Sequence, residues 1–273
     1  MKTFYVTCET NLKEFTDSVY PQGSFCFAAL LRNKDIKVNG NRVNKNVSLN
    51  KGDEVIYYTA LKQEQMPSHT KVYEDENIYI ADKLSGVSSE GLLSELKERG
   101  EFYAVHRLDR NTEGLIAFAK NRQAEGELLS AFKQHTVQKT YIALCKNCFK
   151  QDRATLTAYL TKDEKRGEVK IFSSPKEGAV KIITEYEVLQ KSGELAKVKI
   201  TLHTGKTHQI RAHFAFIGCP VLGDSKYGDE SLNKKYAAKR QRLIAKYLTF
   251  NSLNLLSHLN GKIFESNFEL DEI

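Results

Sequence analysis

His106-Arg107-Leu108-Asp109-Arg110-Asn111-Thr112-Glu113-Gly114-Leu115 runs directly into Ile116-Ala117-Phe118-Ala119. The apolar run from Leu115 predicts a buried strand, and the polar residues before it predict the loop that leads in. One carboxylate of that loop, Asp109, stands among His106, Arg107 and Arg110. A carboxylate just ahead of a buried strand is held by a rigid element, where it can do chemistry. Neighbouring arginines favour its ionised form. The same residues also describe a surface loop with an incidental ion pair, and taken alone they favour that plainer account. The remainder of the chain decides between the two.

The 273 residues are enough for one large domain and a small one. A net charge of +7, from 41 Lys and Arg against 34 Asp and Glu, suits a nucleic-acid partner without demanding one. Five scattered cysteines make no disulfide framework. Cys145-Lys146-Asn147-Cys148 is a lone CxxC that closes an apolar strand, with neither the further ligands of a zinc site nor the helix start of a redox site. The N-terminus has no signal-peptide pattern, and no apolar run approaches the ~20 residues that span a bilayer. The expectation is a reduced, cytoplasmic protein with no membrane segment.

Apolar positions at helical intervals predict helices over 12–18 and 23–33. Asn39-Gly40 between short alternating runs predicts a tight hairpin, because a type I′ turn needs positive φ at both central residues. Between Arg32 and Lys51, six basic residues (Arg32, Lys34, Lys37, Arg42, Lys45, Lys51) stand against Asp35 alone, a local balance of +5. Residues 62–71 are polar, contain Pro67 and show no period, which marks a linker. Beyond it, strands are expected near 72–81, 139–144, 181–188 and 196–202, with helices near 90–98 and 122–133. Many strands and few helices predict an α+β domain over 72–273, built on a mixed or antiparallel sheet with helices and loops flanking a central cleft.

Thr204-Gly205-Lys206-Thr207-His208-Gln209-Ile210-Arg211 opens a second chemical stretch. Thr207 is the expected N-cap of a helix that Gly218 stops, with Ile210, Phe214 and Ile217 on its buried face. Arg211 lies one step (~100°) from Ile210, at the border of that face, where its guanidinium can enter a cleft. His208 and His213 are five apart, so they are no helical zinc pair. Gly205-Lys206-Thr207 lacks the first glycine of a P-loop, since position 200 is Ile.

Taken together, HRLDRNTEGLIAFAKN (106–121), QKTYIALC (138–145), TGKTHQIRAHFAFIGCPVLGDSKYG (204–228) and RQRLIAKYLTF (240–250) resemble, in order and spacing, the RluA-type pseudouridine synthases. The resemblance covers about residues 72–270, opening with VYEDENIYIADKLSG. KVNGNRV and the GDEV that follows make residues 1–61 similar to an S4-like RNA-binding domain, a companion of the family's ribosomal-RNA branch. The resemblance implies isomerisation of uridine in RNA, most of all in 23S ribosomal RNA, by one chain with no cofactor and no metal. Asp109 would be the catalytic carboxylate, Arg211 its partner across the cleft, and Tyr141 the ring against the uracil. Arg107, His106 and Lys139 at the cleft and Arg32, Lys37 and Arg42 in front would contact RNA. A further basic run, 234–242, would be a phosphate-contacting flap. Departures from the family pattern are Glu113 for a serine, Leu84 for a proline and Ile244 for a histidine. The competing class is an RNA-binding or ribosome-assembly protein without the reaction, or the same reaction on transfer RNA.

Overall fold

The computed structural model describes residues 1–163 and 167–270. Its front unit consists of β1 (Lys2–Tyr5), β2 (Thr10–Asn11), α1 (Leu12–Val19), α2 (Pro21–Phe25), α3 (Phe27–Asn33), β3 (Ile36–Val38), β4 (Asn41–Val43), β5 (Ser48–Leu49) and β6 (Glu54–Tyr57). The strand order β1-β6-β3-β4 makes an antiparallel sheet. Leu12, Phe15, Tyr20 and Leu30 pack with Ile36, Val55 and Tyr57 as its core. Asn39 and Gly40 both have positive φ, 49° and 80°, and join β3 to β4 as the hairpin signal required. The helix expected over 23–33 is divided. Pro21 starts α2 and disfavours the helical region for Tyr20 before it (φ −141°, ψ 85°), and Cys26 (φ −113°, ψ 15°) separates α2 from α3.

The stretch read as a linker, 62–71, is largely structured. Leu61–Glu64 forms the short α4, and β7 (His69–Glu74) already belongs to the large sheet. Its polar sequence suits an edge strand, where one face meets water. The His69 ring is held inward by the Ser68 and Tyr79 hydroxyls, at 2.8 and 2.9 Å.

The large unit continues with β8 (Ile78–Lys83), α5 (Ser89–Lys97), β9 (Tyr103–Ala104), β10 (Glu113–Ala119), α6 (Arg122–Lys133), β11 (Gln138–Lys146), β12 (Arg153–Asp163) and β13 (Glu168–Phe172). It ends with β14 (Val180–Ser192), β15 (Leu195–Leu202), α7 (Gln209–Phe216), α8 (Glu230–Lys235), β16 (Leu243–Thr249) and β17 (Ile263–Glu265). Among the described residues the sheet order is β13-β12-β14-β15-β11-β16-β10-β8-β7, with β9 and β17 attached beside β10 and β16. Among the strand pairs of the described residues β10–β16 alone is parallel, so this is the mixed α+β architecture that the sequence pattern predicts. No helix among the described residues is long and apolar enough to cross a membrane.

Strand β10 explains its own sequence. Ile116 and Phe118 pack on one face with Leu92 and Leu96 of α5 and with Ile210 and Phe214 of α7. Leu115, Ala117 and Ala119 pack on the other with Ala124 and Leu128 of α6. A strand covered on both faces reads as an unbroken apolar run. Gly114 stands where β10 meets β16: its φ is +108°, and a Cβ there would lie 2.4 Å from the Ala245 carbonyl oxygen. We expect Gly114→Ala to lower unfolding free energy by about 2–4 kcal/mol in urea titrations, through strain and forced strand separation.

Candidate active site

The polar loop ahead of β10 is pinned from beneath. Leu108 is buried, and the Ser89 hydroxyl at the start of α5 both accepts from its N–H and donates to its carbonyl, each at 2.9 Å. The Thr112 N–H donates to the Asp109 carbonyl at 3.1 Å, closing a turn around Arg110 and Asn111. The carbonyl of Arg110 accepts from the Gly86 N–H at 2.9 Å and from the Lys83 ammonium at 3.1 Å. Lys83 is fully buried and also donates to the Leu84 and Val87 carbonyls. Burial pulls its pKa down to about 7, against the opposing charges of Asp109 and Glu113. The loop is therefore a rigid mount for the Asp109 side chain.

Helix α7 supplies the partner. Arg211 Nη1 donates to Asp109 Oδ2 at 2.9 Å, while its Nε and Nη2 hold both oxygens of buried Asp224, at 2.7 and 3.0 Å. Asp224 Oδ1 also accepts from the Lys226 and Tyr227 N–H groups. Burial pushes the Asp224 carboxyl up, but Arg211 and these amides outweigh it and the net shift is downward. Burial likewise works against the Arg211 charge, and Asp224 first, then Asp109, more than compensate. One edge of the guanidinium is thus fixed and the other is aimed at Asp109.

Thr207 is not the N-cap expected of it. The helix begins at Gln209, and His208 before it sits in the left-handed region (φ 53°) without a side-chain cap. Gln209 holds the entry instead: its amide oxygen accepts from Lys206 N–H and the Thr204 hydroxyl, and its amide nitrogen donates to the Ile183 carbonyl and the Thr184 hydroxyl. The left-handed turn swings the His208 ring to the site, with Nε2 3.9 Å from Asp109 Oδ2. The Tyr227 hydroxyl accepts from Val169 N–H and is hydrogen-bonded to His208 Nδ1 at 2.9 Å. Burial lowers the His208 pKa in spite of Asp109. At its far end α7 stops at Gly218 as expected, although Ile217, read as part of its buried face, is not fully buried. Ile217 is its half-exposed C-cap and Gly218 turns the chain at φ +81°.

Tyr141, on β11, is 8% exposed and lies beside the pair. Burial and then the charge of Asp109 raise its hydroxyl well above the ordinary tyrosine range. Among the described residues that hydroxyl has no protein hydrogen-bond partner. Asp109, Tyr141, His208 and Arg211 share a cleft of about 440 Å³, whose walls also include Arg107, Lys133, Lys139 and Lys206. Its size falls within the ~300–1,000 Å³ usual for a small-molecule site, and its rim is basic.

The residues assigned to RNA fall into three positions. Arg107 is exposed at the cleft mouth and paired with Glu90 at 3.0 Å, while Lys139 lines the wall. Arg32, Lys37 and Arg42 lie on the front unit, where Lys37 and Arg42 flank the Tyr58 ring at 5.6 and 5.5 Å. His106 also lines the cleft, but its ring stacks on Phe132 and its Nε2 accepts the Ala117 N–H at 2.9 Å. Burial drives its pKa down to about 3, so it carries no charge for a phosphate. Glu113 is raised by burial and opposed by Arg240, Lys83 and Arg242. It stays outside the cleft lining. Asp224, Tyr227 and His208 had no role in the sequence reading. The GDSKYG motif contained the first two, but only the fold aims them at Arg211 and His208.

The buried histidines set a pH dependence. His106 and His213 titrate at about 3 and about 4 when folded, both lowered by burial, against ~6.5 in an unfolded chain. Below that upper value the unfolded state binds more protons, so stability is complete above pH ~6.5 and falls as pH drops toward the folded values. Urea midpoints should fall between pH 7 and pH 5, and fall less steeply in His106→Gln. Equal slopes would mean that His106 charges without cost.

The family model for RNA pseudouridylate synthase matches residues 56–216. The chain belongs to that family. As an RNA pseudouridine synthase it is an isomerase that converts uridine to pseudouridine in RNA. It is 33% identical to an uncharacterised RNA pseudouridine synthase of Aquifex aeolicus, over 82% of this chain and 78% of the relative. It is 31% identical to the ribosomal large subunit pseudouridine synthase C of Vibrio cholerae, over 73% and 70%. Human RNA pseudouridylate synthase domain containing 1 superposes with a TM-score of 0.59 at 27% identity, covering 67% of this chain and 79% of that one. The RluA-type resemblance drawn from the four motifs agrees with these matches. Asp224 and Tyr227 lie beyond the stretch that the pseudouridine synthase model covers.

Proposed function

We propose that this synthase uses Asp109 as its reacting carboxylate and acts on ribosomal RNA of the large subunit. The observation that carries the first part is the Asp109–Arg211 ion pair, with Arg211 oriented from behind by Asp224 and Tyr141 beside it. In the reaction the uracil N1–C1′ bond breaks and a C5–C1′ bond forms, and the ring gains a proton at N1 and loses one at C5. Attack on C1′ and removal of a sugar proton both require an ionised, fixed carboxylate, which Arg211 maintains. Tyr141 offers its ring to the uracil face and its unengaged hydroxyl to the edge. The target must leave its stack to reach the cleft. Arg107 is placed to exchange Glu90 for the RNA backbone, and Lys139 adds positive charge at the wall.

The ribosomal target is supported by relatives named as ribosomal large subunit synthases and by the basic front unit. We read residues 1–61 as an RNA-binding unit in which Arg32, Lys37 and Arg42 contact phosphates, adding affinity with little sequence information. All the named groups come from one chain, so a monomer suffices. The test is pseudouridine mapping of ribosomal RNA from cells with and without the protein, rescued by wild type or Asp109→Ala. Loss of specific pseudouridines, restored by wild type alone, is expected. Rescue by Asp109→Ala removes Asp109 from the chemistry, and an unchanged ribosomal map with an altered transfer-RNA map moves the target.

A further inference from the structure

The front unit is joined to the catalytic loop through a partly buried cluster. Asp17 of α1 accepts from the guanidinium of Arg110, from the Lys13 ammonium and from the Ser24 hydroxyl, the last at 2.8 Å. The Asp17 backbone carbonyl accepts from the Ser88 hydroxyl, the same hydroxyl that caps α5 by accepting Gly91 N–H. Gly91 is what lets the units approach: a Cβ there would lie 2.7 Å from the Asp17 carbonyl oxygen. Gln22 reaches across to Glu95 at 3.2 Å, and Phe25 lies against Gly86.

Arg110 is the far end of this cluster and the residue after Asp109. Its Nε donates to the Gly86 carbonyl at 2.9 Å, and its own carbonyl takes the Gly86 N–H and the Lys83 ammonium. The side chain thus ties the turn bearing Asp109 to α1, a separation of 93 residues in sequence. An isolated, half-exposed ion pair contributes little. Here the carboxylate has three donors and the guanidinium is anchored at two places, so the parts hold one another.

We propose that Asp17 is a positioning residue of the active site: through Arg110 it fixes the turn that carries Asp109, so the front unit completes the catalytic loop besides gripping RNA. The proposal rests on Asp109 as the reacting carboxylate. Its signature is a loss in turnover without a matching loss in RNA affinity, because Asp17 and Arg110 lie outside the cleft lining.

The experiment measures tritium release from ribosomal RNA of cells lacking the protein, labelled with 5-tritiated uridine, because C5 loses its hydrogen in the reaction. Full-length Asp17→Asn and Arg110→Gln should each lower kcat about 10-fold, in line with the rate cost of a displaced reacting group. KM should stay within about 2-fold, and the double variant should be no slower than either single one. Asp17→Glu, which keeps the charge, should recover part of the rate. Wild-type kcat in both single variants, or losses that multiply in the double variant, would overturn the proposal. If Asp17→Asn does not fold, Arg110→Gln reads the same contact from the catalytic side, with Asp17→Glu as its partner in the cycle. Asp109→Ala is run alongside: if it is inactive while the others match wild type, only the positioning role fails, and if it is active, the assignment of Asp109 fails first.

Discussion

Asp109→Asn should lower pseudouridine formation by at least ~10³-fold in single-turnover assays, while RNA affinity stays within a few-fold of wild type. Asparagine keeps the shape of the side chain and an oxygen for Arg211 Nη1, so the cleft keeps its form. What it removes is the negative charge that both forms of the chemistry need. Binding is spared because the RNA phosphates meet the basic rim, and removing an acid from that rim does not repel them. Single-turnover rates and filter-binding titrations on the same RNA separate the two effects. A rate within ~10-fold of wild type would mean that Asp109 is a structural partner of Arg211 and that another group does the chemistry.

Asp224→Asn tests the support behind the pair. The new amide keeps an oxygen for the Lys226 and Tyr227 N–H groups but turns an N–H toward the guanidinium, which has only donors. Breaking one partner of a buried ion pair costs about 3–5 kcal/mol, and the lower end applies here because Asp109 still compensates part of the Arg211 charge. A guanidinium released from its rear clamp no longer aims Nη1 at Asp109, and a misplaced catalytic contact costs about 10²-fold in rate. Urea unfolding should show the stability loss and single-turnover assays the rate loss. Arg211→Lys should not restore either in combination, because a single ammonium lacks the planar fork that spans position 224 and Asp109. A destabilised Asp224→Asn enzyme with near wild-type turnover would leave Asp224 a purely structural residue.

Much of this site was legible before the fold. The arginines and the apolar strand behind Asp109 were readable but by themselves favoured an incidental ion pair, and the motifs in family order supplied the roles of Asp109, Tyr141 and Arg211. That Arg211 lies at the border of an apolar helix face was readable from the 3.6-residue period alone. Geometry then supplied what spacing cannot. His106 sits in a motif rich in cations and reads as another, yet Phe132 and the Ala117 N–H make it a neutral strand support. Thr207 has the chemistry of an N-cap, but the helix starts two residues later, where the Gln209 side chain holds the entry by four bonds to Thr204, Lys206, Ile183 and Thr184. The polar stretch 62–71 lacked a period because it is a composite of the end of α4, a turn, and the first residues of the edge strand β7.

By itself, the sequence determined the α+β class, the buried strand behind Asp109, the Asn39-Gly40 hairpin and the family of the reaction. These are local: they follow from side-chain periodicity, from the φ that a turn demands, or from the order of short motifs. Only the tertiary structure decided that Asp224 clamps Arg211, that Tyr227 bonds the His208 ring beside Asp109, and that Asp17 reaches Arg110. Each of those is a contact between elements distant in sequence or bent by an unusual backbone angle, and burial determines its energy. Burial is a property of the packed chain, so no window of residues carries it.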